Sequence, residues 1–214
     1  FVNNINNIKG QNVTGSFHLA NVGYIINNAH KVSGFTYLLD YNAAGNAGKS
    51  TATYGALYNA KLGPVFVNAS IASQSDNGDN PTSFTANYLN AEVGSKIGPV
   101  TLLGGYELLG SDNGVGFSTP LATLHKFQGF SDKFLNTPAD GIQDVYLTVK
   151  GAVSGINLSA TYHNLSSDVN SKDYGSEIDL VAAYSINKNY KTLLKFVTYS
   201  ATDHATDTSK LWLQ

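Results

Sequence analysis

Apolar and polar residues alternate almost one by one along this chain. Phe35, Tyr37, Leu39 and Tyr41 fall on one side of a run, with Gly34, Thr36 and Asp40 on the other. Ala52, Tyr54, Ala56, Tyr58, Ala60 and Leu62 alternate with Thr51, Thr53, Gly55, Asn59 and Lys61. The same pattern runs through Val100–Leu108, Ile156–Tyr162 and Ile178–Ile186. A period of two is the mark of a strand with one apolar face. Weaker alternations cover 14–26, 65–74, 86–96, 142–151 and 190–200, and a broken one begins at Lys210. The pattern predicts ten strands and a stump. Each is about ten residues long, the length at which a tilted strand crosses a bilayer.

The connections sharpen this reading. Tight turns are expected near Asn27-Asn28, Leu62-Gly63-Pro64, Ile97-Gly98-Pro99, Ser154-Gly155 and Asn187-Lys188-Asn189. Polar loops fall between them at 43–50, 75–85, 111–140, 166–175 and 201–208. Short turns at one end and long loops at the other are the signature of an outer-membrane barrel. A soluble β-sandwich also alternates. Strand length, Tyr residues near the ends of apolar faces and charges on the polar faces favour the barrel.

Composition narrows the classes further. Only 13% of the 214 residues are charged, against about 25% in an average domain. Cys, Met and Arg are absent, and the net charge is -2. Disulfides and cysteine metal sites are excluded. A nucleic-acid partner, which needs a basic footprint, is not expected. No apolar run reaches the roughly 18 residues of a transmembrane helix. The chain opens on Phe1-Val2-Asn3-Asn4 and stops inside an apolar alternation at Leu211-Trp212-Leu213-Gln214, so it reads as a processed or partial chain.

The segment 109–148 is distinctive. It runs Gly116-Phe117-Ser118-Thr119-Pro120-Leu121-Ala122-Thr123-Leu124-His125-Lys126-Phe127-Gln128-Gly129-Phe130, then Asp132-Lys133-Phe134-Leu135-Asn136-Thr137-Pro138-Ala139-Asp140-Gly141-Ile142-Gln143-Asp144-Val145-Tyr146. This resembles the carboxy-terminal half of the alginate-export family of outer-membrane porins, as do Asp173–Leu180 and Ala205–Trp212. The resemblance implies one all-β domain over 1–214, part of an antiparallel transmembrane β-barrel of about 18 strands. It implies a passive channel, not an enzyme, in the outer membrane of a Gram-negative bacterium. The partners would be lipid and lipopolysaccharide outside and small solutes or saccharides inside, with no cofactor. A binding protein, adhesin or lumenal hydrolase built on the same barrel is the competing function.

The candidate residues form two sets. The first is the long loop at 111–140. A hydroxyl followed by Pro120 marks a helix start, which would put Leu121, Leu124 and Phe127 or Gln128 on one face. Folded into the lumen, the loop would narrow the pore with Phe117, Phe130 and Phe134 against the wall. His125, Lys126, Asp132 and Lys133 would then face the solute. An external cap packed on neighbouring loops is the other possibility. The second set is the inward charge: Lys61, Lys96, Lys150, Lys191, Lys195 and Lys210 against Asp40, Glu92, Glu107, Asp144, Glu177 and Asp179. The sets balance, which predicts weak ion selectivity. Without Arg, whose fork fits carboxylates, alginate itself is a poor match. These charges also have a purely structural reading, as cross-strand pairs in the wall. Asp76, Asn77, Asp79 and Asn80 carry calcium-type oxygens but lack the EF-hand spacing. Ser159, His163 and Asp144 lie on strands where a hydrolytic set is conceivable, without a nucleophile elbow to support it.

Overall fold

The computed structural model describes residues 2–6, 12–42, 45–121, 125 and 127–214, with backbone only for 2–6, 12 and 13. Among the described residues, fourteen strands follow in chain order: β1 (Val2–Asn6), β2 (Asn12–Ile25), β3 (His30–Tyr41), β4 (Thr51–Leu62), β5 (Val65–Asp76), β6 (Thr85–Ile97) and β7 (Val100–Leu109). Then come β8 (Ser111–Asp112), β9 (Val115–Gly116), β10 (Ile142–Val153), β11 (Ile156–Ser166), β12 (Asp173–Ser185), β13 (Lys191–Ala201) and β14 (Thr208–Leu213). Strands β8 and β9 form a small hairpin inside the long loop. The other 12 make one antiparallel sheet in chain order, from β1 to β14. The sequence pattern missed β1 and the short β8 and β9, and placed the others within a few residues.

Every strand from β2 to β13 pairs with the next in an up-and-down meander, β7 passing directly to β10. The expected tight turns all lie at one end of the sheet, and the polar loops at the other. The register assigns each side chain to a face. One face carries Tyr54, Ile71, Val93, Leu102, Leu147, Leu158, Leu180 and Phe196, all solvent-exposed. So much unburied apolar surface on one face is the face of a membrane protein. Tyr24, Tyr58 and Tyr184 stand on it toward the turns, and Tyr54, Tyr106 and Tyr162 toward the loops. Such tyrosines suit the two interfacial aromatic belts of a barrel.

The long loop packs on the opposite, inner face. The apolar core lies there, at the loop end of the sheet: Phe84, Leu109, Phe117, Phe134, Ile142, Leu165, Tyr174 and Tyr199 are buried together. Phe117 packs on Tyr88 at 5.5 Å between ring centres, and Phe134 on Tyr174 at 5.6 Å.

Strand β3 departs from the expected orientation. Its register with β4 puts Phe35 opposite Gly55 and Tyr37 opposite Thr53, on the inner face with Gln74. Its apolar side therefore faces in, and Asp40 falls on the other face, beside Gly78 of the neighbouring loop. Asp40 is not a lumen residue. Alternation alone cannot tell which side of a strand faces lipid when an apolar loop covers part of the inside.

Candidate functional site

The remaining charges expected inside do share the inner face: Lys61, Glu92, Lys96, Glu107, Asp144, Lys150, Glu177, Asp179, Lys191, Lys195 and Lys210. They are sorted along the strands. Glu107, Asp144, Glu177 and Asp179 sit in the loop half and are buried. His163 lies among them, its Nδ1 2.8 Å from Asp144 and its Nε2 3.7 Å from Asp179. An imidazole between two carboxylates is a structural bridge across β10, β11 and β12. Ser159 stands four residues along the same strand, roughly 13 Å away at about 3.3 Å per residue. The hydrolytic set is thus not assembled, and the second imidazole nitrogen faces a carboxylate instead.

The loop clasps this wall along its length. At its start, Gln74 holds Ser118 as a strand would. The amide donates to the Ser118 carbonyl at 3.0 Å and accepts from the Ser118 N–H at 2.8 Å and hydroxyl at 3.2 Å. It also donates to Thr53 at 2.9 Å. In the middle, Gln128 donates to Glu107, which also accepts from the Tyr88 hydroxyl at 2.6 Å. At the tip, the Ser131 N–H donates to Glu177 at 2.8 Å, its hydroxyl donates to the same carboxylate, and the Phe130 N–H donates to Asp179 at 3.2 Å.

The tip conformation makes this possible. Gln128 and Gly129 have φ of 51° and 85°, which turns successive N–H groups toward the carboxylates as an anion-binding nest. A Cβ at Gly129 would lie 2.4 Å from the Glu177 carboxyl carbon, so only glycine fits.

Beyond the tip, Asp132 accepts from His125 at 2.6 Å and from Lys210 at 3.0 Å, and Lys210 also reaches the Ser131 carbonyl. Burial raises the Asp132 pKa, but these hydrogen bonds and charges outweigh it and hold the carboxyl below its usual value. Lys195 lies 4.7 Å over the Phe130 ring, and His125 stacks on the same ring. Lys133 reaches toward Thr206 at 3.5 Å.

The structure sorts the expected loop residues. Phe117 and Phe134 are buried anchors, while Leu121 and Phe127 stay exposed. Leu124 and Lys126 lie outside the described residues, as do 122 and 123. The described part of 117–134 contains turns and bends and no helix. Gln74 and Ser131, which help make the clasp, were not among the candidates, and Gln128 entered only as an alternative to Phe127 on a helical face. The Gln128-Gly129 pair, an amide beside a turn residue, was the one local signal. The calcium-type residues brace their loop instead. Asp76 accepts from the Phe84 N–H at 3.1 Å, and Asn80 donates to the Ser50 carbonyl at 2.8 Å. Asp140, at the far end of the long loop, is held below the usual carboxylate range by hydrogen bonds from Lys172 and Asn170.

The turn end of the inner face is cationic. Lys31, Lys61, Lys96, Lys150 and Lys191 stand there, one for each tight hairpin, all exposed. None makes an ion pair among the described residues. Lys31 was missed because the faces of β3 were exchanged.

This arrangement has clear structural counterparts. The outer-membrane protein OprD of Pseudomonas aeruginosa superposes with a TM-score of 0.67 at 12% identity, over 94% of this chain and 58% of its own. The chain has the fold of the OprD/Occ outer-membrane porin barrels. OccK3 (OpdO) of the same organism gives 0.69 at 17% identity, over 97% of this chain and 57% of its own. OpdQ, also of P. aeruginosa, gives 0.70 at 14% identity, over 99% and 64%. The chain therefore spans less than two thirds of each of these porins. No family profile and no curated protein matches the sequence.

Proposed function

We propose that this chain is part of a passive outer-membrane channel of a Gram-negative bacterium, narrowed from inside by the 111–140 loop. Lipid and lipopolysaccharide contact its outer face, and small or saccharide-like solutes diffuse through a watered lumen. The observation that carries this reading is the two-faced sheet. One side is bare and apolar, and the other is charged and clasped by the loop through Gln74, Glu107, Glu177 and Asp179. The porin-barrel fold supports it.

The segment 109–148 favours an alginate-export-like branch of these channels. A half-barrel without Arg argues against alginate as its cargo. Selectivity is set by width at the loop and by the charge of the wall. The lumen-facing loop residues and the eleven inward charges are the selecting groups. Cations collect at the turn-side mouth and engaged carboxylates at the loop side, so the two mouths differ.

The test is conductance. The complete protein, purified and placed in a planar bilayer, gives stepwise ionic currents. Deleting 118–136 raises the size of each step. An unchanged step size overturns the constriction, and the absence of any current overturns the channel.

A further inference from the structure

The inner face of a porin wall is expected to be wet, yet between β2 and β7 it is lined by Leu19, Phe35, Tyr37, Leu39, Leu57 and Leu109. This is also where the simple alternation rule failed, with the apolar side of β3 turned inward. Such local conflicts between sequence pattern and fold concentrate at functional sites. The loop roofs this patch with Phe117, Pro120, Leu121 and Phe127 and leaves a cavity of about 450 Å³. That is within the roughly 300–1,000 Å³ of ligand pockets. The cavity stays open because the loop is pinned on both sides of it, at Gln74 and at Glu107.

The lining has a definite chemistry. Phe35 and Tyr37 form a stacked aromatic pair, with ring centres 5.0 Å apart. The Phe35 ring lies directly against the backbone of Gly55, where a Cβ would come within 2.2 Å of it. The aromatic surface therefore belongs to the wall and does not fill the space. Around it stand polar groups that are short and fixed: Thr53, Ser70, Gln74, Gln128 and the carboxylate of Glu107. Among the described residues, Glu107 is the single charged residue in the lining.

Resting on the channel reading above, we propose that this cavity is a binding subsite for an uncharged sugar ring on its way through the lumen. The C–H face of a pyranose packs on Phe35 and Tyr37. Its hydroxyls donate to the Glu107 carboxylate and exchange hydrogen bonds with Thr53 and Ser70. An apolar solute would leave the remaining acceptor lone pairs of Glu107 and Thr53 without a donor. A uronate would bring a second carboxylate against Glu107, and no described residue of the lining offers a cation to offset it. The subsite thus selects neutral saccharides against acidic ones, although cations crowd the turn-side mouth.

The experiment uses the complete protein in a planar bilayer, with maltose and the dianion digalacturonate as probes. Maltose is expected to interrupt the ionic current in a concentration-dependent way. Digalacturonate of similar size should need at least about tenfold more for the same block. Phe35→Leu keeps the space filled and removes the ring, so it should raise the half-blocking maltose concentration about tenfold. Tyr37→Leu should do the same, which guards against a folding defect in either variant. The proposal is overturned if digalacturonate blocks as well as maltose, if benzyl alcohol blocks better than maltose, or if both variants block like the parent. Calorimetric titration of maltose into detergent-purified protein separates the two readings. Binding without current sinks the channel alone, and current without binding or block sinks the subsite alone.

Discussion

The Gln74 clasp can be tested by Gln74→Leu. Gln74 is only 2% exposed, and leucine fills nearly the same volume, so the packing of β4 and β5 is kept. Besides the bond to Thr53 within the wall, what is lost is the two-way pairing with Ser118: the donation to its carbonyl and the acceptance from its N–H and hydroxyl. Each bond contributes about 1 kcal/mol net. Three of them amount to about 3 kcal/mol. At 1.4 kcal/mol per tenfold, the ratio of lifted to docked loop should rise about a hundredfold. The lift should stay local, because Gln128, Phe130 and Ser131 are held independently at Glu107, Asp179 and Glu177. Trypsin should therefore cut after Lys126 far faster in the variant. The rate after Lys133, beyond the Ser131 clasp, should be unchanged. Cleavage tracks the open population when reclosing is fast. Single-channel records should show added flicker between conductance levels. Parental cleavage at Lys126 together with a quiet channel would refute the idea that Gln74 holds the loop. Equal acceleration at Lys126 and Lys133 would show that the clasps act as one unit.

Two further outcomes follow from the charge arrangement. Replacing Lys31, Lys61, Lys96, Lys150 and Lys191 together by Gln should abolish an anion preference measured by reversal potential with dilute salt on the turn side. In about 1 M salt, where screening acts over roughly 3 Å, parent and variant should agree; a difference that persists there would argue against an electrostatic collar. Acid should loosen the loop tip through Asp132. Its folded-state pKa is lowered below 3.8, so its contribution is complete well above that value and is lost as pH falls through the lowered one. Channel flicker should thus grow below about pH 4 in the parent, and Asp132→Asn should remove this acid step while showing some flicker at neutral pH.

The comparison of pattern with fold separates two kinds of information. Strand β4 was expected over 51–62 and runs from Thr51 to Leu62, and β7 was expected over 100–108 and ends at Leu109. Turns and loops alternated in length as expected. These features are local: a strand with one wet and one apolar side writes its period into neighbouring residues, and a tight turn needs its own short run of turn formers. The cationic mouth was not read from the sequence, where only a balance of inward charges was expected, although each of its lysines lies near a tight turn. The loop was not legible in this way. Pro120 suggested a helix where the described residues show turns. Of the residues that hold the loop to the wall, Gln74 and Ser131 looked like ordinary polar positions, and Gln128 was placed on a helical face that does not form among the described residues.

By itself, then, the sequence determined the strands, their two faces and the end at which each connection lies, because these follow from periodicity and turn chemistry within a dozen residues. Only the tertiary structure decided which face of β3 is the inside, where Asp40 goes, and which carboxylates the loop covers. Those outcomes depend on contacts between segments some twenty to eighty residues apart, such as Gln74 with Ser118 and Lys210 with Ser131. An apolar residue is equally well buried against lipid on one side or beneath a folded-in loop on the other. Alternation records that such residues are kept from water, and the loop settles where.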